Sequence, residues 1–213
     1  MDISRYSAMI FDCDGVILDS NKVKSKAFAA TLKGEDPKLI DEFIRYHKLN
    51  GGISRFVKFE YFFKIIKGQK KYQEDLSDAL NRYAKLIYKE LLGCDEIKGI
   101  RDTLDQLIKL NIDCFVVSGG EQAEVRDVLK KRDFSHYFNT IYGSPITKKQ
   151  HLATIKSTKS LYFGDARSDY EAANFFGMDF IYISGASEWI EGINFCQQND
   201  IMIFKDFTEI KNL

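Results

Sequence analysis

Two acids one residue apart, Asp12 and Asp14, stand in the run Phe11-Asp12-Cys13-Asp14-Gly15-Val16. On an extended strand, residues two apart point to the same side. Both carboxyl groups can then face one site while Cys13 points away. The C-terminal end of a strand in a parallel sheet is where ligands bind. Two close carboxylates repel each other and need a cation or a shared proton. Magnesium prefers such oxygen ligands. Gly15 permits a tight turn directly after the strand. The same residues also fit a strand-end turn with solvated acids.

Three further signals follow in chain order. Val117-Ser118-Gly119-Gly120 puts a hydroxyl at a strand end, before a helix whose first N–H groups can hold an anionic oxygen. It also fits a Ser-Gly turn capping that helix. Gly143-Ser144-Pro145-Ile146-Thr147-Lys148-Lys149 offers a lysine, although with 31 basic residues a lone lysine carries little weight. In Gly164-Asp165-Ala166-Arg167-Ser168-Asp169 the two acids are four apart and share a helix face if a helix starts at once. The plain alternative makes Asp165 an N-cap and Asp169 an exposed first-turn acid.

The elements that must position these residues alternate in type. Apolar runs at 6–11, 112–117, 160–163 and 180–183 predict buried strands, with weaker candidates at 137–142 and 201–204. Helical spacing appears at Ile100, Leu104, Leu107 and Ile108, at Val125, Val128 and Leu129, and at Tyr170, Ala173 and Asn174, with Gly177 as a stop. Strands alternating with helices imply an α/β fold, a doubly wound, Rossmann-like parallel sheet covered on both faces. Residues 20–95 differ, with four helical patterns and no strand. The longest, 71–92, carries Leu76, Leu80, Tyr83, Ile87 and Leu91 on one stripe. This predicts an inserted all-helical cap domain at 20–95 on a core made of 1–19 and 96–213, with connections near 18–21 and 93–99. Each chemical signal then falls at a strand's C-terminal end, on one shared edge.

Composition narrows the partners. The 213 residues carry 31 Lys plus Arg and 31 Asp plus Glu, a formal net charge of zero. That balance argues against nucleic acid or an acidic membrane as the main partner, since both reward basic excess. No apolar run approaches the roughly 18 residues a membrane span needs. Cys13, Cys94, Cys114 and Cys196 lack CxxC spacing, which predicts reduced thiols in a cytoplasmic protein. A monomer or weak homodimer is expected.

The order DxDGV, then Ser-Gly-Gly, then Ser-Pro-x-x-Lys, then GDxxxD resembles the haloacid dehalogenase-like superfamily over nearly the whole chain. The helical insertion resembles the cap of its phosphoglycolate phosphatase and beta-phosphoglucomutase branch. The resemblance implies phosphoryl transfer through an aspartyl-phosphate, with Mg2+ as cofactor and a small phosphate ester as substrate. Asp12 would be the nucleophile and Asp14 the general acid and base. Ser118, Gly119 and Gly120 would bind phosphoryl oxygens. Lys148, which fits the spacing better than Lys149, would offset the charge around Asp12. Asp12, Asp165 and the carbonyl of Asp14 would hold the metal, with Asp169 supporting that shell or the lysine. The presence of Asp14 disfavours dehalogenation and phosphonate hydrolysis, whose enzymes in this superfamily lack that acid.

In the expected cap, the loop Gly51-Gly52-Ile53-Ser54-Arg55 resembles the cap loop of beta-phosphoglucomutase. Gly52, Ser54, Arg55 and Lys58 are therefore candidate substrate contacts, Arg55 reaching a carboxylate or second phosphate bidentately. The competing reading is a basic helix start on the solvent face. His47 is structural or a substrate contact, and Lys24 and Lys26 are expected to be solvated. Phe56, Phe59, Tyr61, Phe62 and Phe63 read as the cap's core. The leading function is a magnesium-dependent phosphatase acting on a sugar phosphate or phosphorylated hydroxy acid. A phosphomutase is the nearest alternative, followed by a catalytically idle binding module or a phospho-accepting receiver.

Overall fold

The computed structural model describes residues 5–210. Among these residues six parallel strands form one sheet in the order β3-β2-β1-β4-β5-β6. They are β1 Ala8–Phe11, β2 Asp113–Glu121, β3 Thr140–Ser144, β4 Ser160–Gly164, β5 Asp179–Ile183 and β6 Met202–Phe204. All four residues of β1 are buried, as a central strand covered on both faces requires. Met9 and Phe11 belong to one apolar cluster, and Ile10 to a second with Val117, Leu152 and Tyr162 on the opposite face.

Helices α5 Ile100–Lys109, α6 Gln122–Lys131, α7 Lys148–Leu152, α8 Arg167–Phe175 and α9 Gly192–Gln198 flank the sheet. In α5, Ile100, Leu104 and Leu107 are buried while Ile108 is half exposed, so the apolar stripe is narrower than its sequence suggests. Helix α8 ends just before Gly177, whose φ of +63° suits a glycine stop.

Two strands depart from expectation. β2 does not stop at Val117 but continues to Glu121, with a register irregularity against β3 between Val117 and Glu121. β3 starts at Thr140, because Ser135–Tyr137 closes a 3₁₀ turn instead.

Between β1 and α5 the described residues contain only helices: α1 Asn21–Thr31, α2 Pro37–Leu49, α3 Arg55–Tyr61 and α4 Gln73–Gly93, with a π turn at Phe62–Ile66. This is the helical cap. Asp36 caps α2 by accepting from Lys38 N, and Pro37 fits the first helical turn. Ser54 caps α3 by accepting from Phe56 N. Ala79, Tyr83, Ile87 and Leu91 form the buried face of α4. Phe59, Phe62 and Phe63 are buried, and Tyr61 stacks on Tyr46 at 3.8 Å between ring centroids.

Candidate active site

The sheet's register brings the strand ends level. Phe11 pairs with Val116 on one side and Phe163 on the other. Asp12 therefore emerges beside Ser118 and Asp165, which each follow one residue after its level neighbours. The chain's direction across the sheet reverses between β1 and β4, and a crevice opens at such a switch point. Asp12 N donates to Phe163 O at 3.0 Å, which extends the ladder to the acid itself.

Asp12, Asp165 and Asp169 converge there, each offering a carboxylate oxygen, all within 4.8 Å of one another. All three are buried. Lys148 Nζ lies 2.5 Å from Asp169 Oδ1 and 2.9 Å from Asp12 Oδ1. The Asp12 contact is not a directed hydrogen bond, and Asp12 Oδ1 is buried without a donor. Burial pushes the Asp12 carboxyl up to about 7 despite Lys148, with the Asp169 and Asp14 charges adding to the rise. Burial and the Asp12 charge likewise raise Asp165 well above the usual carboxylate range. The acids are crowded and short of positive charge.

Asp169 is fully occupied behind this cluster. Its Oδ2 accepts from Asp165 N at 3.2 Å and Ala166 N at 3.0 Å, which closes the first turn of α8. Tyr162 Oη lies 3.1 Å from its Oδ1. Asp165 is not a helix cap; its Oδ2 accepts from Asn21 Nδ2 at 2.6 Å. The left-handed turn at Gly15 makes room for that contact, since a Cβ there would strike both Asn21 and Asp165.

Asp14 turns away from the cluster to an ion pair with Lys24 and accepts from Ser20 Oγ at 2.6 Å. Burial works to raise its pKa, but Lys24 and Ser20 outweigh it and hold the carboxyl below the usual range. The expectation that Lys24 is solvated is overturned, because Asp14, in the turn after β1, draws it inward. Lys26 is exposed. Lys148 is buried and Lys149 exposed.

Ser118 is buried, and its Oγ accepts from Gly120 N at 2.9 Å. The α6 start cannot supply the expected anion-binding N–H groups at its next positions. The Glu121 side chain takes Ala123 N at 3.0 Å and Glu124 N at 2.8 Å. Gly119 serves by having no side chain, since a Cβ would strike the Gly52 carbonyl.

Cap and core enclose a narrow cleft of about 50 Å3 over Asp12, Asp14 and Asp165. The cap loop is fastened to the core where Ser168 Oγ donates to Gly51 O at 2.8 Å. Gly52, Arg55 and Lys58 line the cleft. Ser54 instead lines a neighbouring groove with Ser118 and Lys148. Arg55 and Lys58 are 6% and 3% exposed, so the solvent-face reading of this basic stretch is overturned. The guanidinium of Arg55 is already held bidentately by Glu124 of α6. His47 lines the cleft, with Nε2 2.9 Å from Ser25 Oγ. His151 serves the core, with Nε2 2.9 Å from Gly143 O. The four cysteines are free, and Cys13 is buried. Among the described residues no helix is long and apolar enough to cross a membrane.

Asn21, Lys24, Ser20, Tyr162 and Glu188 were not singled out as site residues from the sequence. Asn21 and Lys24 carried one available signal: they open the helix that directly follows the paired acids.

The fold is shared with solved structures of low identity. A predicted phosphoglycolate phosphatase from Haemophilus somnus superposes with a TM-score of 0.75 at 16% identity, covering 98% of each chain. The HAD-hydrolase YfnB from Bacillus subtilis, bound to magnesium, gives 0.67 at 16% identity, covering 97% of each chain. A beta-phosphoglucomutase from Clostridium difficile gives 0.67 at 18% identity, covering 96% of this chain and 93% of its own. Comparison with curated proteins finds no match. A family model described as haloacid dehalogenase-like hydrolase matches residues 9–183. That span runs from β1 to the end of β5 and takes in the whole acid cluster, and the chain belongs to this family.

Proposed function

We propose that the chain is a magnesium-dependent phosphatase that hydrolyses a small phosphorylated metabolite through an aspartyl-phosphate on Asp12. The observation that carries this reading is the meeting of Asp12, Asp165 and Asp169 with a buried lysine between them. Three acids against one lysine leave an excess of negative charge when all are ionised, and Asp12 Oδ1 has the Lys148 ammonium beside it but no directed hydrogen bond. An all-oxygen, negative pocket suits a divalent cation. Asp12, Asp165 and the carbonyl of Asp14 would hold it, with Asp169 supporting from behind. When bound, magnesium offsets the charge on the carboxylates and the phosphoryl group, so that an anion can approach an anion.

Lys148 fixes Asp12, which attacks phosphorus in line while the bond to the leaving oxygen breaks. Asp14 gives that oxygen its proton. Asp14 then takes a proton from the water that attacks phosphorus, which frees inorganic phosphate and restores Asp12. The Lys24 pair keeps Asp14 ionised, the form that activates water. Proton delivery to the leaving group requires Lys24 to move off and Asp14 to carry a proton, which it gains from the attacking water at the end of each turnover. Ser118 Oγ accepts from Gly120 N, so its own proton is left for a phosphoryl oxygen. We place the cap's hinges at 18–21 and 93–99. The two crossings run side by side there, joined by Asp19 N to Asp95 O at 2.8 Å.

Phosphate release from a panel of small phosphate monoesters with magnesium tests the reading. Asp12→Asn should abolish turnover, by at least about 10³-fold in kcat. Full activity in that variant would show the mechanism to be wrong. Dependence on a bisphosphate activator, with transfer rather than release, would favour a phosphomutase.

A further inference from the structure

Four cations face the cleft from the cap, and three acids of the core answer three of them. Lys24 pairs with Asp14, Lys48 lies 3.6 Å from Glu188, and Arg55 is forked onto Glu124. Lys58 is left over. It lines the same cleft as Asp12 and Asp14 and is 3% exposed. Among the described residues no carboxylate lies within ion-pair distance of it.

Its partners are neutral. Nζ lies 2.8 Å from His47 Nδ1 and 3.5 Å from the His47 carbonyl. The direction of this contact follows from the groups behind it. Ser25 spends its only proton on Glu188 at 2.5 Å, so His47 Nε2 must carry the proton it gives to Ser25. Nδ1 is then the acceptor, and Lys58 is the donor. Burial, with Lys58 and Lys24 adding, pushes the His47 pKa down to about 2, so the ring stays neutral. The chain Glu188, Ser25, His47 aims Lys58 but does not neutralise it. An ammonium has three donors, and at most two are engaged. Burial, with the nearby Lys24 charge, brings the Lys58 pKa down to about 7, against the longer-range pull of Asp14, Glu188 and Asp165. A buried cation with no carboxylate in contact is costly to keep.

We propose that Lys58 is the receptor for a single negative charge on the substrate, a carboxylate remote from the transferred phosphoryl group, and that the substrate is a small phosphorylated hydroxy acid rather than a neutral sugar phosphate. This rests on the phosphatase reading for the other end of the cleft. One surplus positive charge matches a monoanion. A second phosphate would bring about two negative charges at neutral pH and leave the excess on the other side. Arg55, the more obvious anion ligand in the sequence, is already satisfied by Glu124.

The test is binding of 2-phosphoglycolate, its neutral counterpart 2-hydroxyethyl phosphate, and ethylene glycol bisphosphate to the Asp12→Asn protein with magnesium, by calorimetry. The acid should bind about 10-fold tighter than the neutral ester, the span of one charge-assisted hydrogen bond. That preference should vanish in Asp12→Asn/Lys58→Met and survive in part in Asp12→Asn/Lys58→Arg. The thermal midpoint of the Met variant, at or above its parent's, shows that it folds. Equal affinities for acid and neutral ester, a preference that persists without the lysine, or tighter binding of the bisphosphate than of the acid would each overturn the proposal. Release of phosphate from the same three esters by the unmodified protein is measured alongside. Its absence would sink the phosphatase reading while the binding arms still decide the role of Lys58.

Discussion

At the scale of single residues, the site depends on a balance of buried charge. Among the described residues Lys148 is the one cation inside the acid cluster, touching both Asp12 and Asp169. Burial opposes its charge, but the two carboxylates outweigh that and raise its pKa. Lys148→Met should lower kcat by about 10²-fold or more, since Asp12 loses its positioning partner. It should also cost about 3–5 kcal/mol of stability, the range for breaking a buried pair. Denaturant unfolding with and without magnesium checks this. A fall in activity with unchanged stability would mean the pair is weaker than its burial implies. Much of this cluster was legible in the sequence. Two acids spaced by one residue on a strand, and two by four residues at a helix start, can face only a few ways. Lys24 was not legible. Its spacing from Asp14 fits a solvated helix face equally well, and only the enclosing cap makes pairing worth its desolvation.

At the scale of elements, cap and core meet through backbone as well as through side chains. Gly119 of β2 lies under the Gly52 carbonyl of the cap loop, where no Cβ fits. Gly119→Ala should hold the loop off the core. The expected result is a fall in kcat/KM of up to about 10²-fold, as for a displaced positioning element, with the thermal midpoint nearly unchanged. Steady-state kinetics and calorimetry test it together. The second crossing between core and cap is tied down by Glu96, which pairs with Arg101 at 2.8 Å and Arg132 at 3.6 Å. The Arg101 hydrogen bonds lead in lowering the Glu96 pKa, against a smaller opposing effect of burial. A carboxyl with a lowered folded-state pKa adds stability above its unfolded value and loses it as the pH falls through the folded one. Glu96→Gln should therefore destabilise by no more than about 1 kcal/mol near neutral pH. The gap between the two proteins should close below about pH 4. A gap that is independent of pH would show that the contribution is not ionic.

At the scale of the whole molecule, the crowded acids predict linkage between a divalent ion and folding. With no ion, burial raises Asp12 and Asp165, which is a cost to the folded state. Magnesium should raise the thermal midpoint, by about 2.7 kcal/mol of stability at 100 times its dissociation constant. Asp165→Asn should largely remove that response in differential scanning calorimetry, and an undiminished response would place the ion elsewhere. The sequence by itself determined which segments become strands and helices, because apolar periodicity and glycine stops act over a few residues. It also determined that the chemical groups stand at strand ends. Only the tertiary structure decided that β4 lies beside β1, and so that Asp165 stands next to Asp12. Only the tertiary structure gave Arg55 to Glu124, 69 residues away, and left Lys58, among the described residues, as the cleft cation with no carboxylate in contact. The reason is that local pattern limits how a segment folds but not which distant segment it meets. Charge pairing in the cleft is settled only when cap and core close on each other.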